Sequence, residues 1–299
     1  MVAIRKVITI AITFFFYWNC TEAQHYFTRN ITTKDGLPSN KVYDIFKDSR
    51  GYMWFGTDGG LCKFDGVNYK TYTQNDGLAG NSVWSITEDE IGNIWAACYG
   101  NGISMFDGSK FKNFYVKDGL VNENVRKIKF SKKHKGLLIG TTNGFSFYKD
   151  SAFISFKDTI NNNVPYVQVT SFLETDSLIY LLTFYGNKYF LAFNPVKKTF
   201  KYLSKNHRYN NSTCSSTIGF ISTDKDTIIG NGMVGINIFT KDSVIENNRV
   251  GQVFDIKEDS SGNLWLASWS DGLSSERRRG GIYRLKDSKD EYFNDKLGI

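Results

Sequence analysis

The stretch "DGLPSNKVYDIFKDSRGYMWFGTDGGLCKFDG" (35–66) returns as "DGLAGNSVWSITEDEIGNIWAACYGNGISMFDG" (76–108). A sequence that repeats itself at such a period builds one structural unit several times. The clearest column of the repeat is a Gly or an aromatic residue followed by an alternating strand. It reads "GLCKF" from Gly60, "GISMF" from Gly102, "GFSFY" from Gly144, "YFLAF" from Tyr189, "GINIF" from Gly235 and "GIYRL" from Gly281. Six copies, spaced 42 to 46 residues apart, place the chain among blade or solenoid repeats.

Each copy holds four strand signals. The first alternates in "KVYDIF", "SVWSIT", "NVRKIK" and "QVFDIK". A turn follows in "KDSRG", "EDEIG" or "EDSSG", with Asp and Gly where such a bend needs them. The second strand is "YMWFGT", "NIWAAC", "GLLIGT" or "NLWLAS", the third is the Gly column, and the fourth is "NYKTYT", "KFKNFY", "AFISFK" or "KTFKYL". Four short antiparallel strands per copy make a propeller blade. Helical solenoids need a period of 3.6 over ten or more positions, and these segments alternate with period 2. Copies four and five (160–246) have drifted; "VPYVQVTSFLE" (164–174) and "SSTIGFISTDK" (215–225) are the candidates for their first strands. Trp54, Trp95 and Trp265, each three residues after a Gly, are expected in the core between blades.

The expected fold is therefore all-β: a β-propeller of six complete four-stranded blades near 35–75, 76–117, 118–159, 160–204, 205–246 and 247–297. "HYFTRNITTKDGL" (25–37) reads as an orphan N-terminal outer strand and its linker, and the final "KLGI" stands where the next linker would begin. Together these read as an incomplete seven-bladed propeller, expected to be a partial chain or the first part of a larger receptor.

Residues 1–23 read as a secretory signal peptide. A basic start is followed by the apolar run "VITIAITFFFYW" and by Thr21-Glu22-Ala23, with cleavage before Gln24. The run is short for a membrane span, which takes about 20 residues, and no later segment is long and apolar enough. Tyr17-Trp18-Asn19 are too bulky for lipidation at Cys20. The propeller domain is then 24–299, with a periplasmic location expected. The formal net charge is +7, dispersed apart from "KIKFSKKHK" (127–135) and "ERRR" (276–279), and no nucleic-acid motif accompanies it. Cys62, Cys98 and Cys214 fall at unmatched places in the repeat, which argues against a disulfide framework or a metal site. His25, His134 and His207 are scattered.

The residues resemble the two-component regulator propeller repeat, "D-G-L-x-x-N-x-V-x-x-I-x-x-D-x-x-G-x-x-W-x-G-T-x-x-G-L-x-x-F-D-G". The likeness is close in 35–66, good in 76–108, 118–150 and 250–273, and weak across 160–246. What the resemblance implies is the periplasmic sensor half of a hybrid two-component system. In that family fourteen repeats form two seven-bladed propellers. A β-sandwich, a membrane span and kinase, receiver and DNA-binding domains follow, and many members sense oligosaccharides. The implied partners are an oligosaccharide ligand and the remainder of a sensor kinase or a dimer partner, with no nucleic acid and no cofactor. The repeat motif specifies blades and assigns no ligand contact.

No G-x-S-x-G, H-E-x-x-H or P-loop occurs, and "YGNGIS" (99–104) and "GNGMVG" (230–235) open strands rather than helices, so neither cradles phosphate. Asp48, Asp89 and Asp259, each three residues before a Gly, resemble the Asp-box turns of sialidase-like propellers; such carboxylates hold a bend rather than converge as a glycosidase pair. One loop stands apart, "WSDGLSSERRRG" (269–280). Its Trp269, Asp271, Glu276, Arg277, Arg278 and Arg279 are the candidate ligand contacts, through aromatic stacking and Arg forks. The leading function is a non-catalytic sensor; a cell-surface interaction scaffold and a propeller lyase or sialidase-like enzyme are the alternatives.

Overall fold

The computed structural model describes residues 30–157, 168–184, 191–202, 220–222, 228–231, 236–239, 244–247, 252–269, 281–286 and 289–293. They form an all-β propeller of six four-stranded antiparallel sheets, each pairing its strands in chain order. Sheet 1 holds β1 (Val42–Lys47), β2 (Met53–Thr57), β3 (Gly60–Phe64) and β4 (Tyr69–Tyr72). Sheet 2 holds β5 (Val83–Glu88), β6 (Ile94–Cys98), β7 (Ile103–Phe106) and β8 (Phe111–Phe114), and sheet 3 holds β9 (Val125–Ser131), β10 (Gly136–Thr141), β11 (Gly144–Lys149) and β12 (Ala152–Phe156). Sheet 4 holds β13 (Gln168–Glu174), β14 (Ile179–Phe184), β15 (Leu191–Asn194) and β16 (Thr199–Tyr202). Sheet 5 holds β17 (Phe220–Ser222), β18 (Ile228–Asn231), β19 (Ile236–Phe239) and β20 (Val244–Asn247), and sheet 6 holds β21 (Gln252–Glu258), β22 (Leu264–Trp269), β23 (Gly281–Lys286) and β24 (Lys289–Phe293).

The expectation of six complete blades plus an orphan strand needs correction. Five blades, sheets 1 to 4 and sheet 6, have described side chains, in sheets 4 and 6 for part of their strands; sheet 5 is defined by strand pairing alone. No strand precedes β1 among the described residues, and 25–29 lie outside them. The described part of the expected orphan, 30–37, is a turn because Asp35 closes it: its carboxylate accepts from Thr32 N at 2.9 Å and Thr32 Oγ1 at 3.1 Å. A seven-bladed ring is thus not what the structure shows. The signal-peptide residues 1–23, His25, His207 and Cys214 also lie outside the described residues. Cys62 and Cys98 are free and buried.

The same turn explains the repeated "D-G-L". Asp76 accepts from Thr73 N at 2.9 Å and Asp118 from Tyr115 N at 2.9 Å. Gly77 then takes a φ of 96°, open to glycine at little cost. The next residue turns inward: Leu37, Leu78 and Leu120 are all buried. The third-strand glycine has its own cause. Gly102 and Gly144 sit at φ 78° and 116°, and a Cβ on either would stand 2.3 Å and 2.2 Å from the carbonyl oxygens of Phe114 and Phe156.

The core lies between blades. Trp54, Leu61 and Tyr72 of sheet 1 meet Val83, Ile86, Ile94, Ala96, Cys98 and Phe106 of sheet 2. Trp95, Ala97, Ile103 and Phe114 of sheet 2 meet Val125, Ile128, Leu137 and Ile139 of sheet 3 in the same way. Sheets 2 and 3 therefore show one apolar face to the preceding blade and one to the next, so neither is dry alone. Below the cores, charged side chains clamp neighbours together. Glu88 accepts from Ser49 N at 2.8 Å and Ser49 Oγ at 2.7 Å, Glu174 accepts from Ser131 Oγ and pairs with Lys129 at 2.7 Å, and His134 Nε2 lies 3.1 Å from the Thr175 carbonyl oxygen.

Candidate functional site

Each well-described innermost strand carries a β-bulge at one place. Pairing slips between Val42 and Asp44, Val83 and Ser85, Val169 and Ser171, and Val253 and Asp255; in β9 it passes from Val125 to Lys127. The extra residue is Tyr43, Trp84, Arg126, Thr170 or Phe254. A bulge leaves its residue outside the ladder and re-aims its side chain, and bulges gather at the rims of β-structures and near sites. The valine before each bulge is fully buried in sheets 2, 3, 4 and 6, so it anchors the strand; in sheets 2 and 3 its neighbour, Trp84 or Arg126, is partly exposed.

The first three bulge residues come together. Tyr43 stacks on Trp84 with ring centroids 4.9 Å apart and planes 24° apart, and Trp84 stacks on Tyr99 at 4.2 Å and 14°. The Arg126 guanidinium carbon lies 5.1 Å from the Trp84 ring centroid. Polar contacts fix the assembly. Trp84 Nε1 donates to Ser82 Oγ at 3.1 Å, and Ser82 Oγ donates to Asp58 Oδ1 at 2.9 Å. Tyr43 Oη donates to the same oxygen at 3.2 Å, and Lys41 Nζ lies 3.7 Å from Asp58 Oδ2. The Ser82 hydroxyl, with Lys41 and Tyr43, holds the Asp58 carboxyl below the usual carboxylate range. At the other end Arg126 Nη1 donates to Gln168 Oε1 of sheet 4.

The result is a shelf of three aromatic rings with a carboxylate at the sheet 1 end and a guanidinium at the sheet 3 end. Asp44 anchors the strands beneath it, accepting from Ile86 N at 2.9 Å and pairing with Lys127 at 3.6 Å, so three innermost strands are tied at one point. The rings and polar groups are partly exposed. A shelf of this kind offers stacking surface, one acceptor and one cationic donor fork, the ingredients of a small-molecule site.

The Asp-box carboxylates are elsewhere, at the opposite ends of the same strands, and each is spent on its own turn. Asp48 accepts from Arg50 N at 3.0 Å, Tyr52 N at 2.9 Å and Trp54 Nε1 at 2.9 Å. Asp89 and Asp259 repeat this with Trp95 and Trp265, at 2.9 Å and 2.8 Å. The Trp265 indole and Asn263 hold the Asp259 carboxyl well below the ordinary range.

Of the residues singled out in the sequence, Trp269 closes β22 and pairs with Gln252; Asp271, Glu276, Arg277, Arg278 and Arg279 lie outside the described residues. Trp269 follows Ser268, the partner of Val253, as Tyr99 follows Cys98, the partner of Val83. The sequence pointed to the connection between second and third strands in sheet 6, most of which lies outside the described residues. It missed the same connection in sheets 1 and 2, where Asp58 and Tyr99 stand. Tyr43, Trp84 and Arg126 were missed because they differ in type; the available signal was a variable bulky residue after a constant Val in "KVYD", "SVWS" and "NVRK".

A family model, the two component regulator propeller, matches residues 36–59 and 77–100. The chain carries two-component regulator propeller repeats. Both matches end at the connection after the second strand, so Asp58 and Tyr99 lie at their next-to-last positions. Over 44 residues the chain is 46% identical to histidine kinase P4 of Formosa agariphila, a stretch that covers 15% of this chain and 3% of the kinase. In three dimensions it is similar to the extracellular domain of a hybrid two-component system from B. thetaiotaomicron, with a TM-score of 0.70, 22% identity and 88% of this chain covered. The chain spans 36% of that domain's length. It is also similar to a streptogramin B lyase, with a TM-score of 0.58, 15% identity and 77% of each chain covered. Likeness at this level is a likeness of fold, and a fold does not by itself assign a function.

Proposed function

We propose that this chain is a non-catalytic, ligand-sensing propeller, exported by residues 1–23 to the periplasm and acting as the N-terminal part, 24–299, of a hybrid two-component sensor. The ligand is an oligosaccharide. The observation that carries this reading is the Tyr43–Trp84–Tyr99 stack, held in place by Ser82 and Asp58 on a bulge that every well-described innermost strand repeats. An outer ring of the stack presents a flat apolar face to the C–H face of a pyranose, and Asp58 accepts from sugar hydroxyls. The family match and the likeness to a sensor ectodomain support the sensory role. The Asp-box carboxylates, each saturated by its own turn, argue against a hydrolase built on them. Trp269 and the 270–280 connection with Asp271, Glu276 and Arg277 to Arg279 belong to the same class of connection as Asp58 and Tyr99, and we assign them to the same ligand face.

Thermal unfolding against a panel of neutral and acidic oligosaccharides tests the reading. A ligand that binds only the folded chain stabilises it by RT ln(1 + [L]/Kd), so at least one glycan class raises Tm in proportion to the logarithm of its concentration. No shift from any glycan at millimolar concentration overturns it. A second reading, a cell-surface interaction scaffold, has one observation in its favour. Ile45 of β1 is 54% exposed, whereas its counterparts Ile86 and Ile128 are 4% and 2% exposed; a partner protein covering that face would be read out as a stable complex without any glycan.

A further inference from the structure

We infer that the shelf selects a carboxylate-bearing saccharide, a uronic-acid oligomer, and that Arg126 is the residue that reads its acid group. This rests on the oligosaccharide reading above and names the class of sugar.

Three cations project from β9: Arg126, Lys127 and Lys129. Lys127 pairs with Asp44 at 3.6 Å and Lys129 with Glu174 at 2.7 Å. Arg126 has no carboxylate within ion-pair distance among the described residues; its one hydrogen bond runs to the neutral amide oxygen of Gln168. A half-buried guanidinium next to an aromatic ring is a weakly hydrated charge with strong unmet affinity for an oxyanion. Two contacts orient it. Gln168 holds Nη1, and the Trp84 ring at 5.1 Å lies beside the guanidinium plane. The remaining N–H groups, Nε and Nη2, form the planar fork that meets a carboxylate in two parallel hydrogen bonds.

The other end of the shelf fixes what else the ligand must be. Asp58 is an acceptor, already committed to Ser82 and Tyr43, and it repels a second acid group. The two ends are separated by the indole of Trp84, which touches both Ser82 and Arg126. A simple organic acid would satisfy Arg126 and leave the rings uncovered. A neutral sugar would cover the rings and leave the guanidinium unpaired. A sugar with a carboxylate on one edge and hydroxyls on the other satisfies both ends and stacks between them.

The test is calorimetric titration of the full chain with three tetrasaccharides: oligogalacturonate, a sulfated carrageenan fragment, and neutral maltotetraose. The expected result is that oligogalacturonate binds most tightly, with affinity that falls as NaCl is raised. Arg126→Gln weakens it about tenfold or more and leaves the weak binding of maltotetraose within about twofold, inside the tenfold per 1.4 kcal/mol scale. Arg126→Lys, which keeps the charge but not the fork, retains only part of the affinity. Unfolding of each variant without ligand checks that the blade contacts persist. Equal affinity for oligogalacturonate and maltotetraose, unchanged by Arg126→Gln, overturns the acid assignment and leaves the oligosaccharide reading intact. Preference for the sulfated fragment, which has no carboxylate, overturns the carboxylate assignment. Failure of all three to bind removes the oligosaccharide reading and this inference together.

Discussion

The indole Nε1 of Trp54 donates a 2.9 Å hydrogen bond to Oδ2 of Asp48, six residues upstream in the same hairpin. Both residues are buried, and the bond joins two jobs of the repeat. Asp48 holds the turn through the N–H groups of Arg50 and Tyr52, while Trp54 fills the core against sheet 2. Turn and core therefore fail together. Asp48→Ala leaves a buried indole N–H and two turn amides without their acceptor. The expected cost is about 2–3 kcal/mol in urea unfolding. Trp54→Phe removes the donor and some packing volume but keeps the turn, and the double variant costs less than the sum of Asp48→Ala and Trp54→Phe, because the two residues share one interaction.

The third-strand glycines predict a sharper loss. Gly102→Ala places a Cβ 2.3 Å from the Phe114 carbonyl oxygen at a φ of 78°. The fourth strand of sheet 2 has to move away from the third. The expected destabilisation is at least about 2 kcal/mol, measured by the same unfolding titration. Gly108→Ala, a turn glycine with open space around its Cβ position although its φ is 100°, is expected to cost less than Gly102→Ala.

Equivalent positions in different blades separate repeat from neighbourhood. Ile86→Ala removes a side chain buried between sheets 1 and 2, with an expected cost of about 2–4 kcal/mol. Ile45→Ala removes the same residue type from the same strand position where it is open to solvent, with an expected cost under about 1 kcal/mol. Equal costs would contradict the blade order described for sheets 1 and 2.

Acid sensitivity follows from turn carboxylates. The N–H groups of Lys110 and Ser109 lower the Asp107 carboxyl to about 2 from an ordinary value of 3.8, and hydrogen bonds from Thr73 lower Asp76 in the same direction. A depressed carboxylate gives its stabilisation in full above the unfolded value and loses it as pH falls through the folded one. For Asp107 that window runs from about pH 4 down to about pH 2. Tm measured across it is expected to fall, and Asp107→Asn is expected to flatten the Asp107 part of that fall while lowering Tm at neutral pH.

Much of the fold was legible because its causes are local. "D-G-L" is a carboxylate-closed turn, a left-handed glycine and a buried leucine; the Gly column marks a close approach of two strands; Asp and Trp six apart mark a hairpin. Even the drifted copies yielded, since β13 lies within 164–174 and β17 within 215–225. The aromatic shelf was not legible, for a physical reason. A repeat is read from what stays constant, and the bulge residues Tyr43, Trp84 and Arg126 are what varies. Their meeting depends on blades packing side by side, which brings together residues 41 to 42 apart in sequence. The orphan strand was overread from a stretch whose described half is a linker turn made by Asp35.

The most direct test of the central claim, that the Tyr43–Trp84–Tyr99 shelf is where this propeller meets its ligand, is the affinity of Trp84→Ala for a glycan that shifts the melting of the unaltered chain. The account predicts that binding falls by more than about tenfold, or about 1.4 kcal/mol, while unfolding without ligand stays within about 1 kcal/mol, as expected for a partly exposed side chain. A Trp84→Ala chain that folds and binds that glycan as well as the original would contradict it.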